Sequence, residues 1–196
     1  MTDKPGQQLL LNFPSHPQYS FSNFVVSTGS RIAFETAKEF SSQNPASFQS
    51  LYLFSQKNLG KTHLLLSIGN CVAEQGLSAV CIQGKDFAEK MENDQSREAQ
   101  SALEQLLNVD FFLIDNVEGL SHSPVAQEKL YHIYNQIVEK GGKLAFTAEF
   151  PPDKNPAMES YLTSRFQWGM VAEIKSIDDA TTAKIILKLA KDINLL

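Results

Sequence analysis

One stretch constrains this chain more than any other: Leu51-Tyr52-Leu53-Phe54 runs into Ser55-Gln56-Lys57-Asn58-Leu59-Gly60-Lys61-Thr62-His63, and Leu64, Leu65, Ile68 and Val72 follow at helical spacing. An apolar run, a polar turn closing on Gly-Lys-Thr and an amphipathic segment read as strand, phosphate-binding loop and helix. In such a loop Gly60 lets the backbone approach a phosphate. Successive N–H groups and the helix N-terminus supply partial positive charge, Lys61 reaches the β- and γ-phosphates, and Thr62 ligates Mg²⁺. Taken alone, Gly60-Lys61-Thr62 also fits an ordinary strand-to-helix turn.

The loop departs from the usual pattern at its start, where Ser55 stands in place of glycine. A non-glycine residue held in a left-handed conformation costs roughly 1–2 kcal/mol. Asn58 tolerates that conformation better than most residues, whereas Gln56 and Lys57 do not. The expectation is a loop that keeps its shape and binds ADP or ATP with Mg²⁺ weakly.

The 196 residues, 42% hydrophobic and 20% charged, suffice for one α/β domain with a real core. A net charge of −5 and a pI near 5.4 argue against a broad nucleic-acid-gripping face, which needs clustered Lys and Arg. DNA contact is therefore expected to be indirect or weak. Cys71 and Cys81 lack zinc spacing and read as reduced core residues. The opening residues carry no charged-then-apolar leader, and no run nears the roughly 20 apolar residues of a membrane span. A cytoplasmic location with no membrane partner is expected.

Residues 1–19, punctuated by Pro5, Gly6, Pro14 and Pro17, read as an arm. Residues 20–196 read as one core. A helix is expected over 31–40, started by Ser30. The core then alternates: strand 49–54, helix 61–75, strand 78–83, helical segments across 85–107, strand 110–115, helix 124–140 and strand 143–148. A short helix near 157–165, a strand at 169–174 and a helix at 178–192 complete it. Apolar strands separated by helices predict a parallel sheet covered on both faces.

A second nucleotide signature follows the first. Phe111-Phe112-Leu113-Ile114-Asp115 is a buried strand ending in a carboxylate, which in loop-type NTPases supports Mg²⁺; a strand-capping Asp is the plainer alternative. The next position is Asn116, an amide that cannot take a proton. Intrinsic hydrolysis is thus expected to be weak or absent. Leu162-Thr163-Ser164-Arg165-Phe166-Gln167-Trp168-Gly169 adds an arginine that reads either as a solvated surface residue or as a group reaching a neighbouring subunit's nucleotide.

Together these motifs resemble the DnaA family of bacterial AAA+ replication initiators, and more closely its short Hda-type regulatory branch. The resemblance runs from Phe21-Ser22-Asn23-Phe24-Val25-Val26 through Leu59-Gly60-Lys61-Thr62-His63-Leu64-Leu65, Leu113-Ile114-Asp115-Asn116-Val117-Glu118 and Pro151-Pro152 to Ser164-Arg165-Phe166-Gln167-Trp168-Gly169. It implies a three-layer α/β/α P-loop NTPase of AAA+ type with a central parallel sheet. Within it Ser55, Asn58, Gly60, Lys61, Thr62, His63, Asp115 and Asn116 fall at the nucleotide site, with Thr62 and Asp115 toward Mg²⁺. Glu149 takes the approximate first-sensor position and Arg165 that of the arginine finger acting in trans. Asp115-Asn116 is similar to the Hda form rather than the Asp-Asp of the initiator.

Within the arm, Gln8-Leu9-Leu10-Leu11-Asn12-Phe13 fits the peptide by which Hda-like and other replication proteins dock on the sliding clamp, with Gln8, Leu9, Leu11 and Phe13 as contacts. Alternatively, the leucines fold back onto the core. The resemblance implies the sliding clamp and DnaA as partners, with a second copy of the chain a further candidate. The initiator's DNA-binding helix-turn-helix domain and the AAA+ lid have no counterpart before Leu196, which again implies weak nucleotide binding. Between Lys85 and Asp110, where the initiator is basic, only Lys85, Lys90 and Arg97 face seven acidic residues. A non-catalytic adaptor, or an ATPase assisting DNA remodelling or helicase loading, are the alternative functions.

Overall fold

The five apolar runs become the strands of one parallel sheet: β1 (Ser50–Phe54), β2 (Ala79–Gln83), β3 (Phe111–Asp115), β4 (Lys143–Ala148) and β5 (Met170–Glu173), ordered β2-β3-β4-β1-β5. This architecture comes from a computed structural model that describes residues 18–42, 47–56, 58–93, 103–176 and 178–192. The arm peptide with Gln8, Leu9, Leu11 and Phe13 lies outside the described residues. The helices are α1 (Arg31–Phe40), α2 (Lys61–Glu74), α3 (Gly84–Asn93), α4 (Pro124–Glu139), α5 (Ser160–Trp168) and α6 (Asp179–Asp192). A further helical turn covers 103–106.

Alternation along the strands sorts the core into two layers. Leu51 and Leu53 of β1 join Leu113, Ala145 and Ala172 beneath α1 and α2, whose Ala33, Ala37, Phe40, Leu64, Leu65, Ile68 and Val72 are buried there. Tyr52 points to the other face, with Phe112, Ile114, Leu144 and Phe146, against α3, α4 and α5. These clusters make the three-layer α/β/α P-loop fold. Among the described residues no helix is long and apolar enough to cross a membrane.

Local chemistry sets the boundaries. Ser123 caps α4 by accepting from the Ala126 N–H at 3.1 Å, and Pro124 occupies the first turn, where its missing N–H costs nothing. Ser30 precedes α1 as expected, but its hydroxyl is engaged with Ser27 rather than with the helix. The short helix expected near 157–165 lies at Ser160–Trp168, because Ala157 turns the chain with φ of 55° and Glu159 is extended. Two 3₁₀ turns, Val117–Leu120 and Pro152–Lys154, add detail that periodicity does not mark.

Helix α5 is anchored to the sheet by two side chains. Leu162 and Phe166, four residues apart on one face, are buried, and the Phe166 ring lies 5.1 Å from Tyr52 and 4.7 Å from Phe146. Burying one such side chain is worth about 1.5–3 kcal/mol. Gly169 then brings the chain against the start of β1, where a Cβ would lie 2.0 Å from the Ser50 carbonyl oxygen. Trp168 is thereby left exposed on α5, and Arg165 beside it lies half-buried against Tyr131 and Asn135 of α4.

Candidate nucleotide site

β1 leads into α2 on one face of the sheet, while its neighbour β4 leads toward α5 on the other. Loops leaving the carboxyl ends of two such strands diverge and open a crevice. Here it has a volume of about 430 Å³ and is lined by Asn58, Gly60, Lys61, Thr62, Asn116 and Glu149. Three separate loops thus bring six of the expected residues together.

The left-handed backbone lies at Asn58, with φ of 61°, and at Gly60, with φ of 98°, just before α2 begins. A Cβ on Gly60 would also meet the Phe24 ring at 2.8 Å, so the position excludes side chains twice over. Ser55 is not among the described residues of positive φ, and the strain expected there is absent. Buried Ser55 instead serves Lys61, whose Nζ donates to the Ser55 carbonyl at 2.9 Å, to its Oγ at 3.3 Å and to the Gln56 carbonyl at 3.0 Å. Lys61 also lines the crevice, where an ammonium can form charge-assisted hydrogen bonds with a phosphate.

Asp115 is buried, and its carboxylate gathers three side-chain donors. Thr62 Oγ1 donates at 2.9 Å and Gln83 Nε2 at 2.8 Å to Oδ2, while Thr147 Oγ1 donates to Oδ1. The Asn116 N–H donates to the Thr147 oxygen at 2.8 Å, and Asn116 Nδ2 to Gln83 Oε1 at 3.1 Å. A threonine hydroxyl, a carboxylate, an ammonium and a helix N-terminus form a donor set of the right chemistry for a magnesium nucleotide. Asn116 itself adopts φ of 55°, which asparagine tolerates.

His63 does not line the crevice. Its ring packs edge-on to Tyr19 and Phe24, both at 5.3 Å, and Nε2 pairs with the Ser20 carbonyl at 3.1 Å. Burial lowers its pKa, so it fastens residues 19–24 to α2 as a neutral group. Cys71 and Cys81 are free and half-buried, and burial, then the Asp115 charge, pushes the Cys81 thiol up to about 12. A Cys81 thiol held that high is not a nucleophile.

Arg165 stands apart from its own crevice, on α5. Its Nε donates to Asn135 Oδ1 at 2.8 Å and Nη2 to the Tyr131 hydroxyl at 3.3 Å, while the guanidinium carbon lies 4.3 Å from the Trp168 ring and 5.1 Å from that of Tyr131. Among the described residues its partners are an amide, a phenol and two ring faces.

Gln83, Thr147 and Glu118 stand behind the lining as partners of Asp115, Asn116 and Glu149, a role the motifs do not reveal. Gln83 and Thr147 could have been suspected as polar groups near the ends of apolar strands; Gln83 is paired in register with Asp115. Glu118 accepts from the Glu149 N–H across the crevice floor.

The sequence profile of the bacterial DnaA ATPase domain matches residues 15–173. The chain belongs to the bacterial DnaA ATPase domain family. It is 34% identical over 182 residues to the chromosomal replication initiator protein DnaA of Campylobacter fetus, covering 92% of this chain and 41% of the relative. The chain therefore spans about two-fifths of that relative's length. Among solved structures, AMPPCP-bound DnaA from Aquifex aeolicus superposes with a TM-score of 0.83 at 29% identity, covering 92% of this chain and 57% of that one. Domain III of the Thermotoga maritima DnaA gives a TM-score of 0.83 at 31% identity, covering 92% and 77%. The DnaA-type core and the three-layer P-loop fold are thus shared with proteins of replication initiation.

Proposed function

We propose that this DnaA-family domain regulates chromosome replication initiation in the cytoplasm, as an Hda-type partner that promotes hydrolysis of ATP held by DnaA. In this reading residues 1–19 are an arm whose Gln8, Leu9, Leu11 and Phe13 dock on the sliding clamp, and 20–196 form the AAA+ core. Arg165 enters the nucleotide site of a DnaA molecule and stabilises charge on the transferring phosphoryl group, an effect worth on the order of 10³–10⁵ in rate. Clamp docking raises the local concentration of Arg165 near replicated DNA. The crevice of this chain takes ADP or ATP through Lys61 and Thr62, with Mg²⁺ supported by Asp115. Asn116 offers no base, so turnover there is slow.

The observation that carries this reading is the placement of Arg165. It lies half-buried on a helix packed against the sheet, outside the lining of its own crevice, and among the described residues its partners are neutral, so it can be offered to another molecule's phosphates without abandoning a carboxylate among them. The AMPPCP-bound Aquifex relative supports adenine nucleotide as the ligand class.

The test is release of phosphate from ATP-loaded DnaA in the presence of DNA-loaded clamp, with the chain or its Arg165→Ala form added. Stimulation by the first and its loss in the second are expected. Equal stimulation by both would remove Arg165 from the mechanism, and clamp binding with no stimulation by either would make the chain a non-catalytic adaptor.

A further inference from the structure

The turn after β3 carries a carboxyl that the nucleotide reading leaves without a task. Val117 and Leu120 are fully buried, and Gly119 packs so tightly on α3 that a Cβ would lie 2.2 Å from the Lys85 nitrogen. From α3, Gly84 packs back on the Asn116 carbonyl, with 2.3 Å to a would-be Cβ. This turn has no room to shift, and it holds Glu118 under the crevice. Glu118 Oε1 accepts from the Glu149 N–H, while Oε2 is buried with no donor. Glu149 in turn lines the crevice.

We infer that Glu118 is a positioning residue for the nucleotide pocket, fixing Glu149 through its backbone N–H, and that it takes up one proton from solvent when a nucleoside polyphosphate binds. The inference rests on reading the crevice as a nucleotide site.

The groups facing Glu118 set the direction. Burial is the largest influence and favours its neutral form; the backbone N–H groups of Glu149 and of Glu118 itself oppose it, the Glu149 carboxylate acts with burial, and Lys61 on α2 acts with the N–H groups. From β1 comes the Tyr52 hydroxyl, already donating to the Phe150 carbonyl at 3.0 Å and accepting from Asn155. From α3, Lys85 is exposed and pairs with Glu89 at 3.7 Å. From α4, among the described residues, the turn receives the uncharged Gln127 amide, bonded to the Leu120 carbonyl. Lys61 is therefore a cation that, beside those N–H groups, opposes a proton on Glu118.

A bound polyphosphate engages that same ammonium and adds negative charge of its own. Both changes favour a proton on Glu118. Protonation at Oε2 relieves the desolvated lone pairs that lack a donor, and Oε1 continues to accept from Glu149 N–H. Glu149 thus stays in place while the pocket sheds one negative charge.

Calorimetric titration of the full chain with MgADP, in two buffers of different ionisation enthalpy at one neutral pH, tests this. The wild type should show buffer-dependent heat corresponding to proton uptake approaching one. Glu118→Gln should bind within a few-fold of wild type and lose that dependence, while Glu118→Ala, which frees the Glu149 N–H, should bind several-fold more weakly. Full buffer dependence in Glu118→Gln, or none in the wild type, overturns the uptake. In the free chain, NMR should show the Glu149 amide proton following the titration of the Glu118 carboxyl carbon, with that step missing in Glu118→Gln. An amide that ignores Glu118 overturns the positioning role. Absence of any binding heat would instead refute the nucleotide reading and the uptake together, leaving the amide titration to decide the positioning role alone.

Discussion

The Thr62 hydroxyl donates to Asp115 Oδ2 at 2.9 Å, tying the first turn of α2 to the end of β3 beneath the crevice. Because Gln83 and Thr147 donate to the same carboxylate, Asp115 is both a structural acceptor and the candidate metal support. Replacing it by an amide sets an N–H against at least one of those donors. Asp115→Asn should cost about 1–3 kcal/mol of folding stability, the scale of a buried polar group left unmatched. Thr62→Val, which removes one donor and keeps the shape, should cost about 1 kcal/mol or less. Both should lose the Mg²⁺-dependent part of nucleotide affinity. Urea unfolding, with fluorescent-nucleotide titration with and without Mg²⁺, reads the two effects separately; unchanged Mg²⁺ dependence in both variants would exclude this pair from metal support.

Gly60 and Ser55 should behave in opposite ways. Gly60→Ala puts a Cβ into left-handed backbone and against Phe24. It should destabilise the chain by about 1–2 kcal/mol or more and weaken nucleotide binding. Ser55→Gly relieves nothing, because Ser55 is not left-handed, and it removes an oxygen that holds Lys61. Its nucleotide affinity should stay within about threefold of wild type, and its stability should fall by roughly 0.5–1 kcal/mol. A large gain in affinity for Ser55→Gly would show that the missing glycine does limit binding.

That contrast separates what is legible in the chain from what only the fold reveals. Strand β1, the loop and α2 are local, so periodicity and the Gly-Lys-Thr signature place them to within a residue. The left-handed position is harder to read, because loop conformation depends on where Lys61 and Phe24 come to lie. Gln83 and Asp115 are 32 residues apart and meet only through β2–β3 register, as Glu118 and Glu149 meet only across the crevice floor. Arg165 is legible as a candidate, whereas its hold on Asn135 and Tyr131 follows from the packing of α5 on α4.

Arg165→Ala should leave the fold largely intact. The side chain is partly exposed, and among the described residues its contacts are two hydrogen bonds and two ring faces rather than a buried ion pair. A loss of about 1 kcal/mol or less is expected on denaturant unfolding. Arg165→Lys should be equally well folded but should fail to stimulate DnaA-bound ATP hydrolysis, since an ammonium lacks the planar fork. Destabilisation of Arg165→Ala by more than about 2 kcal/mol would assign the arginine a structural role instead.

The pH dependence of stability should carry the signature of Glu118. Burial raises its carboxyl pKa above the ordinary 4.5, so the folded chain holds this proton more tightly than the unfolded chain does. The stabilisation linked to that proton is complete below 4.5 and is lost as pH rises through the folded value. Glu118→Gln keeps an acceptor for the Glu149 N–H and never ionises, so it escapes this loss. The stability of the variant relative to wild type should therefore climb as pH rises from acid to neutral and then level off. Partial water access holds the climb to about 1 kcal/mol. Urea midpoints for both proteins across that range measure it. A difference that stays flat with pH would mean that Glu118 ionises as freely in the fold as in the unfolded chain, and that its unpaired oxygen is not the origin of any proton linkage.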